Sequence, residues 1–232
     1  MAGQNVYVVT GAAGNVGAAL TALLTARGHR VAAIDRSHAG LTARHGEAGA
    51  ALRVAVSDLS DPAATQAAVA EIVAALGRID GVAATVGGFA MAPLADSGPA
   101  LWEQMLRINV LTTVNIFAAA LPHLRASGGG SLVAISAGAA LRAPGGMAAY
   151  AAAKSGVLRL VESLADEAKA DRIRVNAVLP GTIDTPQNRA AMPEADPSRW
   201  VTPAQVAEVL AFLLSDAAAG ITGAALGVPG LG

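Results

Sequence analysis

Short runs of valine-rich, apolar residues alternate with longer alanine-rich segments from one end of the chain to the other. The first three runs, NVYVVT, RVAAID and ALRVAV, have the length and continuous apolar character of strands that are buried on both faces. The pattern predicts a helix that ends near Gly28 between the first two strands, and a weaker helix between the second and third. The amino-terminal part of the chain is therefore predicted to be a βαβαβ unit.

The alternation continues to the end of the chain. Asp61 in an N-cap position, followed by Pro62 and by apolar residues three and four positions apart, predicts a further helix. The other predicted strands are IDGVAATVGG, SLVAIS, IRVNAVLPG and ITGAALGV, and the other predicted helices are Pro99 to about Arg125, Met147 to about Ala170, and PAQVAEVLAFLLSD. Residues 181–202 are predicted to form an irregular, proline-containing connection.

Strands that alternate with helices imply a parallel sheet, because parallel strands need crossover connections and the helices must bury their apolar stripes on the sheet. The predicted fold class is therefore α/β, a doubly wound sheet of seven parallel strands with helices on both faces. A chain of 232 residues is long enough for one sizeable core and short for two, so residues 1–232 are predicted to form a single domain. Ligands of such sheets bind beyond the carboxyl ends of the strands.

Composition and charge exclude several classes of function. The formal net charge of −1, without any block of like charge, argues against binding to nucleic acid or to an anionic membrane surface. The chain has no cysteine, and its four histidines have no ligand-pair spacing, so no metal site is predicted. The amino terminus lacks a signal-peptide pattern, and no uncharged run reaches the ~18 residues of a membrane span. A cytoplasmic location is expected.

The segment TGAAGNVG follows the first predicted strand and leads directly into a helix. Gly11, Gly14 and Gly17 allow a tight turn, a close approach of backbone N–H groups to a pyrophosphate, and close packing of helix on strand. This turn, with Asn15 and Val16 at the start of the helix, is predicted to bind a dinucleotide in a single-domain Rossmann fold. A purely structural glycine turn is the alternative, since a glycine pattern alone is weak evidence.

Acidic residues follow the second and third predicted strands. Asp35 ends the second strand, which follows the glycine turn and its helix, and a carboxylate there would accept hydrogen bonds from the adenosine ribose. Because that carboxylate would repel a 2′-phosphate, NAD(H) is the preferred cofactor, and the adjacent Arg36 keeps NADP(H) possible. Asp58, followed by Leu59, is predicted to hydrogen-bond the adenine, with a role as a loop or cap acid as the alternative.

Tyr150 and Lys154 lie one helical turn apart in the segment YAAAK, among alanines. On one helix face, the ammonium group of Lys154 would favour the phenolate and lower the tyrosine pKa from its ordinary value of about 10. Tyr150 would then serve as a general acid or base. A surface pair without function is the alternative.

The order and spacing of several motifs resemble those of the short-chain dehydrogenase/reductase family, over essentially the whole chain. These motifs are TGAAGNVG, Asn109 in RINVLTTVN, Ser136 in LVAIS, the pair Tyr150 and Lys154, and NAVLPGTIDTP. The resemblance implies a nicotinamide-dependent oxidoreductase that interconverts a carbonyl and an alcohol on a small-molecule substrate. It also implies that Ser136 hydrogen-bonds the reacting oxygen, that Lys154 holds the nicotinamide ribose, and that Asn109 anchors a water linking Lys154 to solvent. For Asn109, a hydrogen bond within its own helix is the alternative.

Three features depart from the common pattern of the family. Ser136 stands one residue further from Tyr150 than the catalytic serine of the family usually does, and position 137 is alanine. We place the extra residue in the loop after Pro144, which keeps Ser136 as the catalytic serine. The fourth strand ends in ATVGGFA where Asn-Asn-Ala-Gly is usual, which leaves Gly87 and Gly88 to line the cofactor. The glycine spacing is also the less common one for single-domain members.

The last two departures and the segment DTPQNRAAMPEADPSRW resemble dihydropteridine reductases, a group within this family. By that resemblance, residues 180–202 form a substrate loop, with Met192 and Trp200 as apolar lid residues. The loop residues implied near the cofactor are Pro180, Gly181, Thr182, Ile183 and Thr185. A surface loop anchored by Trp200 is the alternative. Since dihydropteridine reductases commonly lack the active-site serine, Ser136 favours ordinary carbonyl chemistry.

Two other functions remain open at this point. One is the reduction of a quinonoid dihydropterin or another conjugated C=N or C=C system, and the other is a regulatory protein that binds a dinucleotide without catalysis. The long predicted helices near 100–125 and 147–170 carry apolar residues on more than one face. By analogy with the family, they pair across a two-fold axis in a homodimer or homotetramer.

Overall fold

The computed structural model describes residues 4–46 and 50–231, so residues 1–3, 47–49 and 232 of the predicted domain lie outside the described residues. Seven parallel strands form one sheet in the order β3-β2-β1-β4-β5-β6-β7. The strands are β1 Val6–Thr10, β2 Arg30–Asp35, β3 Leu52–Ala55, β4 Gly81–Ala84, β5 Gly130–Ile135, β6 Ile173–Pro180 and β7 Ala225–Val228. The order reverses between β1 and β4, which is the switch point where ligands of such sheets bind. The predicted fold class is confirmed.

Helices connect successive strands, and several begin with a side chain that caps their first-turn amides. The helices are α1 Asn15–Ala26, α2 His38–His45, α3 Pro62–Leu76, α4 Pro99–Leu106, α5 Thr112–Ala126, α6 Ala148–Glu167, α7 Pro186–Ala191 and α8 Pro203–Leu214. The Asp61 carboxylate accepts hydrogen bonds from the first-turn amides of α3, after which Pro62 begins the helix. Thr202 and Gln205 form a capping box at α8.

A hydrophobic core lies on each face of the sheet. Because side chains alternate along a strand, Val8 of β1 packs in one core and Val9 packs in the other. The first core contains α3, α5 and α6, represented by Ile72, Phe117 and Val157, all of them fully buried. The second core lies under α1 and α8. This two-sided packing holds the carboxyl ends of the strands in fixed positions at one edge of the sheet.

The helical run Pro99–Ala126 differs from the single regular helix that the sequence predicts. Residues Arg107–Leu111 form a π-helical turn between α4 and α5, and Asn109 lies at its centre. The run is long and apolar enough to cross a membrane, but the core helix of a soluble protein meets the same criteria. Here Ile116 and Phe117 are fully buried in the core of the sheet.

Residues 181–202 contain more regular structure than predicted. Thr185 caps α7 by accepting a hydrogen bond from the backbone N–H of Asn188, and a short 3₁₀ helix covers Pro197–Arg199. A parallel bridge between Ile183 and Val201 closes the loop at its base. The proline at the first position of each short helix explains why a proline-containing segment is not irregular here.

Candidate active site and cofactor site

The glycine turn between β1 and α1 has the geometry that its sequence predicts. Gly11 adopts a φ of +64°, in the left-handed region that favours glycine. A Cβ on Gly17 would lie 2.2 Å from the carbonyl oxygen of Gly11, so only glycine fits there. Gly14 precedes the helix, which begins at Asn15, and no side chain of the described residues caps its first-turn amides. These amides are suited to the phosphates of a dinucleotide.

A cavity of about 630 Å³ extends from this turn along the carboxyl ends of β1 to β4. Its lining brings together predicted cofactor residues from four separate segments of the chain. They are Gly11, Gly14, Asp35, Arg36, Asp58, Leu59 and Gly87. The glycine turn, the acid at the end of β2 and the volume of the cavity fit the adenosine half of a dinucleotide.

The Asp35 carboxylate is held in place by backbone amides. One carboxylate oxygen accepts a hydrogen bond from Ala13 N at 2.9 Å, and the other accepts from Arg36 N at 2.7 Å. These bonds connect the end of β2 to the glycine turn. Each carboxylate oxygen keeps acceptor capacity for a ligand hydroxyl.

Asp58 makes a second group of hydrogen bonds in the same cavity. Its Oδ1 accepts from the backbone N–H and the hydroxyl of Ser60, and its Oδ2 accepts from the guanidinium of Arg107 at 2.6 Å. The Ser60 hydrogen bonds and the Arg107 ion pair lower the pKa of Asp58 from 3.8 to about 2. Sequence reasoning missed Arg107, because its partner is 49 residues away in the chain.

Lys154 is buried one helical turn after Tyr150. Its Nζ donates a hydrogen bond to the carbonyl oxygen of Ile135 at 3.0 Å and lies 5.9 Å from the centroid of the Tyr150 ring. Burial lowers the pKa of Lys154 from 10.5 to about 8. Burial also raises the pKa of Tyr150 above its ordinary value of 10.0. The prediction that the pair lowers the tyrosine pKa is therefore wrong for this structure, because the cost of burying the phenolate dominates.

Ser136 does not occupy the position that the sequence analysis assigned to it. Its hydroxyl is buried and donates a hydrogen bond to the backbone carbonyl oxygen of Lys154 at 2.8 Å, inside α6. A hydroxyl held in this way is not available to a substrate oxygen beside Tyr150. Ala137, not Ser136, stands at the distance from Tyr150 that is usual for the serine of the family. Adjacent residues at a strand end point in opposite directions, so Ser136 does not reach the position of Ala137. The assignment of Ser136 as a catalytic residue is corrected.

Asn109 uses its side chain to fix the protein around the site. Its Nδ2 donates to the carbonyl oxygens of Gly88 and Met105, both at 3.0 Å, and its Oδ1 accepts from Gly88 N at 3.1 Å. The hydrogen bond to Met105 is the within-helix contact that the sequence analysis kept as an alternative. The bonds to Gly88 connect the π turn to the loop after β4.

Gly87 links the cavity to Asn109 and Lys154. A Cβ at this position would lie 2.9 Å from Asn109 Oδ1 and 3.1 Å from Lys154 Nζ. Any larger residue would displace one of these groups. A Cβ on Gly88 would lie 3.1 Å from the side chain of Ile108. The two glycines thus allow the loop after β4 to lie close to Asn109, Lys154 and Ile108.

The segment 181–202 contacts the start of α1 beside the glycine turn. Asn15 Nδ2 donates to Gln187 Oε1 at 3.1 Å, which connects α7 to the start of α1. Asn188 Nδ2 donates to the carbonyl oxygen of Ile183 at 2.8 Å, and the Thr182 carbonyl accepts from Val201 N. The other predicted loop residues near the cofactor are Pro180, at the end of β6, Gly181, and Thr185, the N-cap of α7. Of the predicted lid residues, Met192 is 38% exposed.

Phe89 is a neighbour of Tyr150 that sequence reasoning missed. The two rings meet edge to face, with centroids 5.0 Å apart and an interplanar angle of 78°. Phe89 is 59% exposed, so most of its ring remains open to a ligand. It follows Gly87 and Gly88 directly, and only the rarity of aromatic residues in this chain, 3% of the total, could have drawn attention to it.

The fold and the site define a class of protein. A doubly wound parallel sheet, a glycine turn at its switch point, an acid at the end of β2 and a half-buried tyrosine with a buried lysine close to Gly87 of the cavity wall are the features of a Rossmann-type oxidoreductase. The chain belongs to the short-chain dehydrogenase/reductase family, because residues 5–196 match the short chain dehydrogenase family. It is an NAD(P)-dependent oxidoreductase.

Relatives with named activities agree with this membership. The chain is 34% identical to cis-4-hydroxycyclohexanecarboxylate dehydrogenase from Sinomonas cyclohexanicum, over 98% of this chain and 96% of the relative. It is 33% identical to D-threitol dehydrogenase from Mycolicibacterium smegmatis, over 97% and 91%. A short-chain type dehydrogenase/reductase structure from Mycobacterium ulcerans covers 100% of this chain and is covered over 90% of its own length, with a TM-score of 0.92 and 30% identity. These relatives do not favour a non-catalytic regulator.

Proposed function

We propose that this protein transfers a hydride between a nicotinamide cofactor and a small molecule that carries a carbonyl or alcohol group, with Tyr150 as the general acid and base. The observation that supports this most is the position of the pair. A Cβ on Gly87, which lines the cavity, would lie 3.1 Å from Nζ of the buried Lys154, and that Nζ lies 5.9 Å from the centroid of the Tyr150 ring. The named dehydrogenase relatives support the same class of substrate.

Tyr150 and Lys154 handle the proton in the proposed reaction, and Asn109 and Gly88 hold the site in place. The nicotinamide, when bound, supplies or accepts the hydride. Tyr150 donates the proton to the substrate oxygen in reduction, a role that its raised pKa suits because the phenol stays protonated at neutral pH. In oxidation, Tyr150 must first lose that proton, and Lys154, with a pKa of about 8, is the neighbouring group that exchanges protons in this range. Asn109 and Gly88 hold the wall of the site in place.

We also propose that NAD(H) is preferred over NADP(H). Asp35 places a carboxylate at the end of β2 in the cavity, where it would repel a 2′-phosphate. Arg36 lines the same cavity and moderates the preference. Replacing Asp35 by serine should weaken NADH binding and improve NADPH binding. A wild-type preference for NADPH of about tenfold or more, or about 1.4 kcal/mol, would mean that Arg36 dominates.

The position of Ser136 favours a second candidate, reduction of a quinonoid dihydropterin or a similar conjugated system. Its hydroxyl is bonded to Lys154, which leaves Ala137 at the family's usual spacing from Tyr150. Without a second donor at that position, the site is better suited to a substrate whose developing charge is delocalised over a ring. The resemblance of residues 184–200 to dihydropteridine reductases points the same way.

We also propose that the protein is cytoplasmic and forms a symmetric oligomer. Leu106 is 43% exposed and Leu111 is 44% exposed on the long helical run, which supports a second copy of the chain as its partner. In the family, helices of this kind pair across a two-fold axis.

The test is a screen of ketones, secondary alcohols and quinonoid dihydropterins with NADH and NADPH. The substrate with the highest kcat/KM decides between the two candidates. Tyr150→Phe should lower kcat by about 10²- to 10⁴-fold on that substrate and leave cofactor affinity nearly unchanged. Turnover by Tyr150→Phe within a few-fold of wild type would contradict the role of the tyrosine.

A further inference from the structure

Arg107 bridges the cavity that fits the adenosine half of the cofactor. It is the first residue of the π turn, and its guanidinium contacts Asp58 Oδ2 at 2.6 Å across 49 positions of the chain. Both side chains line the cavity and are partly exposed, 63% for Arg107 and 45% for Asp58. An exposed ion pair contributes little to the stability of a fold. The Arg107–Asp58 pair lies in a ligand cavity, which favours a role in ligand binding over a role in stability.

The hydrogen bonds of Asp58 with the described residues leave one directed acceptor position. Its Oδ1 already accepts two hydrogen bonds from Ser60, at 2.8 Å from the backbone N–H and 2.6 Å from the hydroxyl. Its Oδ2 accepts a hydrogen bond from Arg107. A carboxylate oxygen has two lone pairs, so Oδ2 can accept one more hydrogen bond, and the existing bonds fix the direction from which it accepts.

We propose that Arg107 is a positioning residue for adenine recognition, which holds Asp58 so that its free acceptor position selects a 6-aminopurine over a 6-oxopurine. The inference rests on the proposed function, because it assumes that a nicotinamide dinucleotide occupies this cavity. An exocyclic amino group donates to the carboxylate, whereas an exocyclic oxygen in the same place is repelled by it. The low pKa of Asp58, about 2, keeps the carboxylate charged over the whole working pH range.

The π turn Arg107–Leu111 carries two residues that contact different parts of the site. Arg107 contacts Asp58 at the end of β3, while Asn109, further along the same turn, bonds to Gly88 in the loop after β4. One residue therefore fixes the adenine end of the cavity, and the other fixes the wall next to Lys154.

The experiment measures dissociation constants by calorimetry for NADH and for reduced nicotinamide hypoxanthine dinucleotide, in which oxygen replaces the adenine amino group. If the wild type binds NADPH more tightly, the corresponding phosphorylated pair is used. Wild type should prefer the amino form by about tenfold, the effect of one hydrogen bond to a charged group. Arg107→Gln should reduce this ratio by about threefold or more, Arg107→Lys should restore part of it, and Asp58→Asn should remove it.

Arg125→Gln is the matched control, since Arg125 forms an exposed ion pair with Asp171 at the opposite edge of the sheet. It should keep the wild-type ratio, and all variants should melt within a few degrees of wild type. An unchanged ratio in Arg107→Gln, or an equal loss of affinity for both dinucleotides, would overturn the positioning role while leaving the proposed function intact. If the wild type binds neither dinucleotide, the proposed function fails, and this inference fails with it.

Discussion

At the scale of single residues, the burial of Lys154 lowers its pKa and makes its charged form unfavourable in the folded state. Its ammonium is buried against the carbonyl oxygen of Ile135, and burial lowers its pKa from 10.5 to about 8. A buried amine with a low pKa gains and loses its proton more readily near neutral pH than an exposed lysine does. The same burial makes the charged form unfavourable in the folded state.

The stability of the protein should therefore depend on pH through Lys154. Between pH 8 and 10.5, the unfolded state binds more protons at this residue than the folded state, so the free energy of unfolding should rise with pH in that window. We expect Lys154→Met to be more stable than wild type at pH 7 and to lose that advantage toward pH 10. Urea unfolding at several pH values measures the difference. An advantage that does not change with pH would mean that folding does not lower the pKa of Lys154.

Ser136 and Ala137 make a second prediction at this scale. Ser136→Ala removes a buried hydrogen bond to Lys154, so it should lower the free energy of unfolding by about 1 kcal/mol and change turnover by only a few-fold. Ala137→Ser should add the missing donor and raise kcat/KM for ketones more than for conjugated ring substrates. Chemical unfolding and steady-state kinetics measure both effects. A hundredfold loss of ketone turnover in Ser136→Ala, with stability unchanged, would restore Ser136 as the catalytic serine.

At the scale of elements, the junction of β1 and α1 depends on close packing of backbone on backbone. A Cβ on Gly17 would lie 2.2 Å from the Gly11 carbonyl oxygen and 2.9 Å from the Thr85 hydroxyl. The helix would have to move away from the strand to accommodate it. The first-turn amides of α1, at the edge of the cavity, would move with it.

We expect Gly17→Ala to lower NADH affinity by at least about tenfold, since the phosphate-binding amides lose their alignment. The matched control is Gly220→Ala, because a Cβ at Gly220 would meet no atom of the described residues within 4 Å. Calorimetric titration with NADH measures both variants, and melting temperatures show whether Gly17→Ala remains folded. Wild-type affinity in a folded Gly17→Ala protein would contradict the role of the turn in phosphate binding.

At the scale of the whole molecule, the long helical run leaves apolar side chains on its outer face. Leu106 and Leu111 are both exposed, although the same run buries Met105, Ile116 and Phe117 inside the subunit. Exposed leucines on the helix that carries Asn109 would place a subunit interface close to the site.

Light scattering at micromolar concentration should give the mass of a dimer or a tetramer. Leu106→Glu should shift the mass toward that of the monomer, because a charge in a self-complementary interface meets its own copy. Gln66→Glu adds the same charge to an exposed position on α3 and should leave the assembly intact. A monomeric wild type would contradict the proposed assembly.

The sequence alone predicted the features that depend on local pattern. Short, continuously apolar strands alternate along the chain with alanine-rich helices, and this alternation predicted the seven-stranded parallel sheet. The glycine spacing predicted the turn between β1 and α1, because a close backbone approach tolerates no side chain. The alanine-rich pattern predicted the helix that carries Tyr150 and Lys154, and their spacing of four residues put both on one face of it.

The tertiary structure decided what depends on direction, burial and distant partners. A change of one residue at the end of β5 turns a hydroxyl from the site to the carbonyl of Lys154, so the spacing of Ser136 was insufficient to place it. The direction of the Tyr150 pKa depends on how deeply the ring is buried, and no sequence pattern records that depth. Arg107 meets Asp58 only because the sheet brings the end of β3 next to the π turn. Side-chain direction and desolvation are properties of the packed chain, and they determine the chemistry at this site.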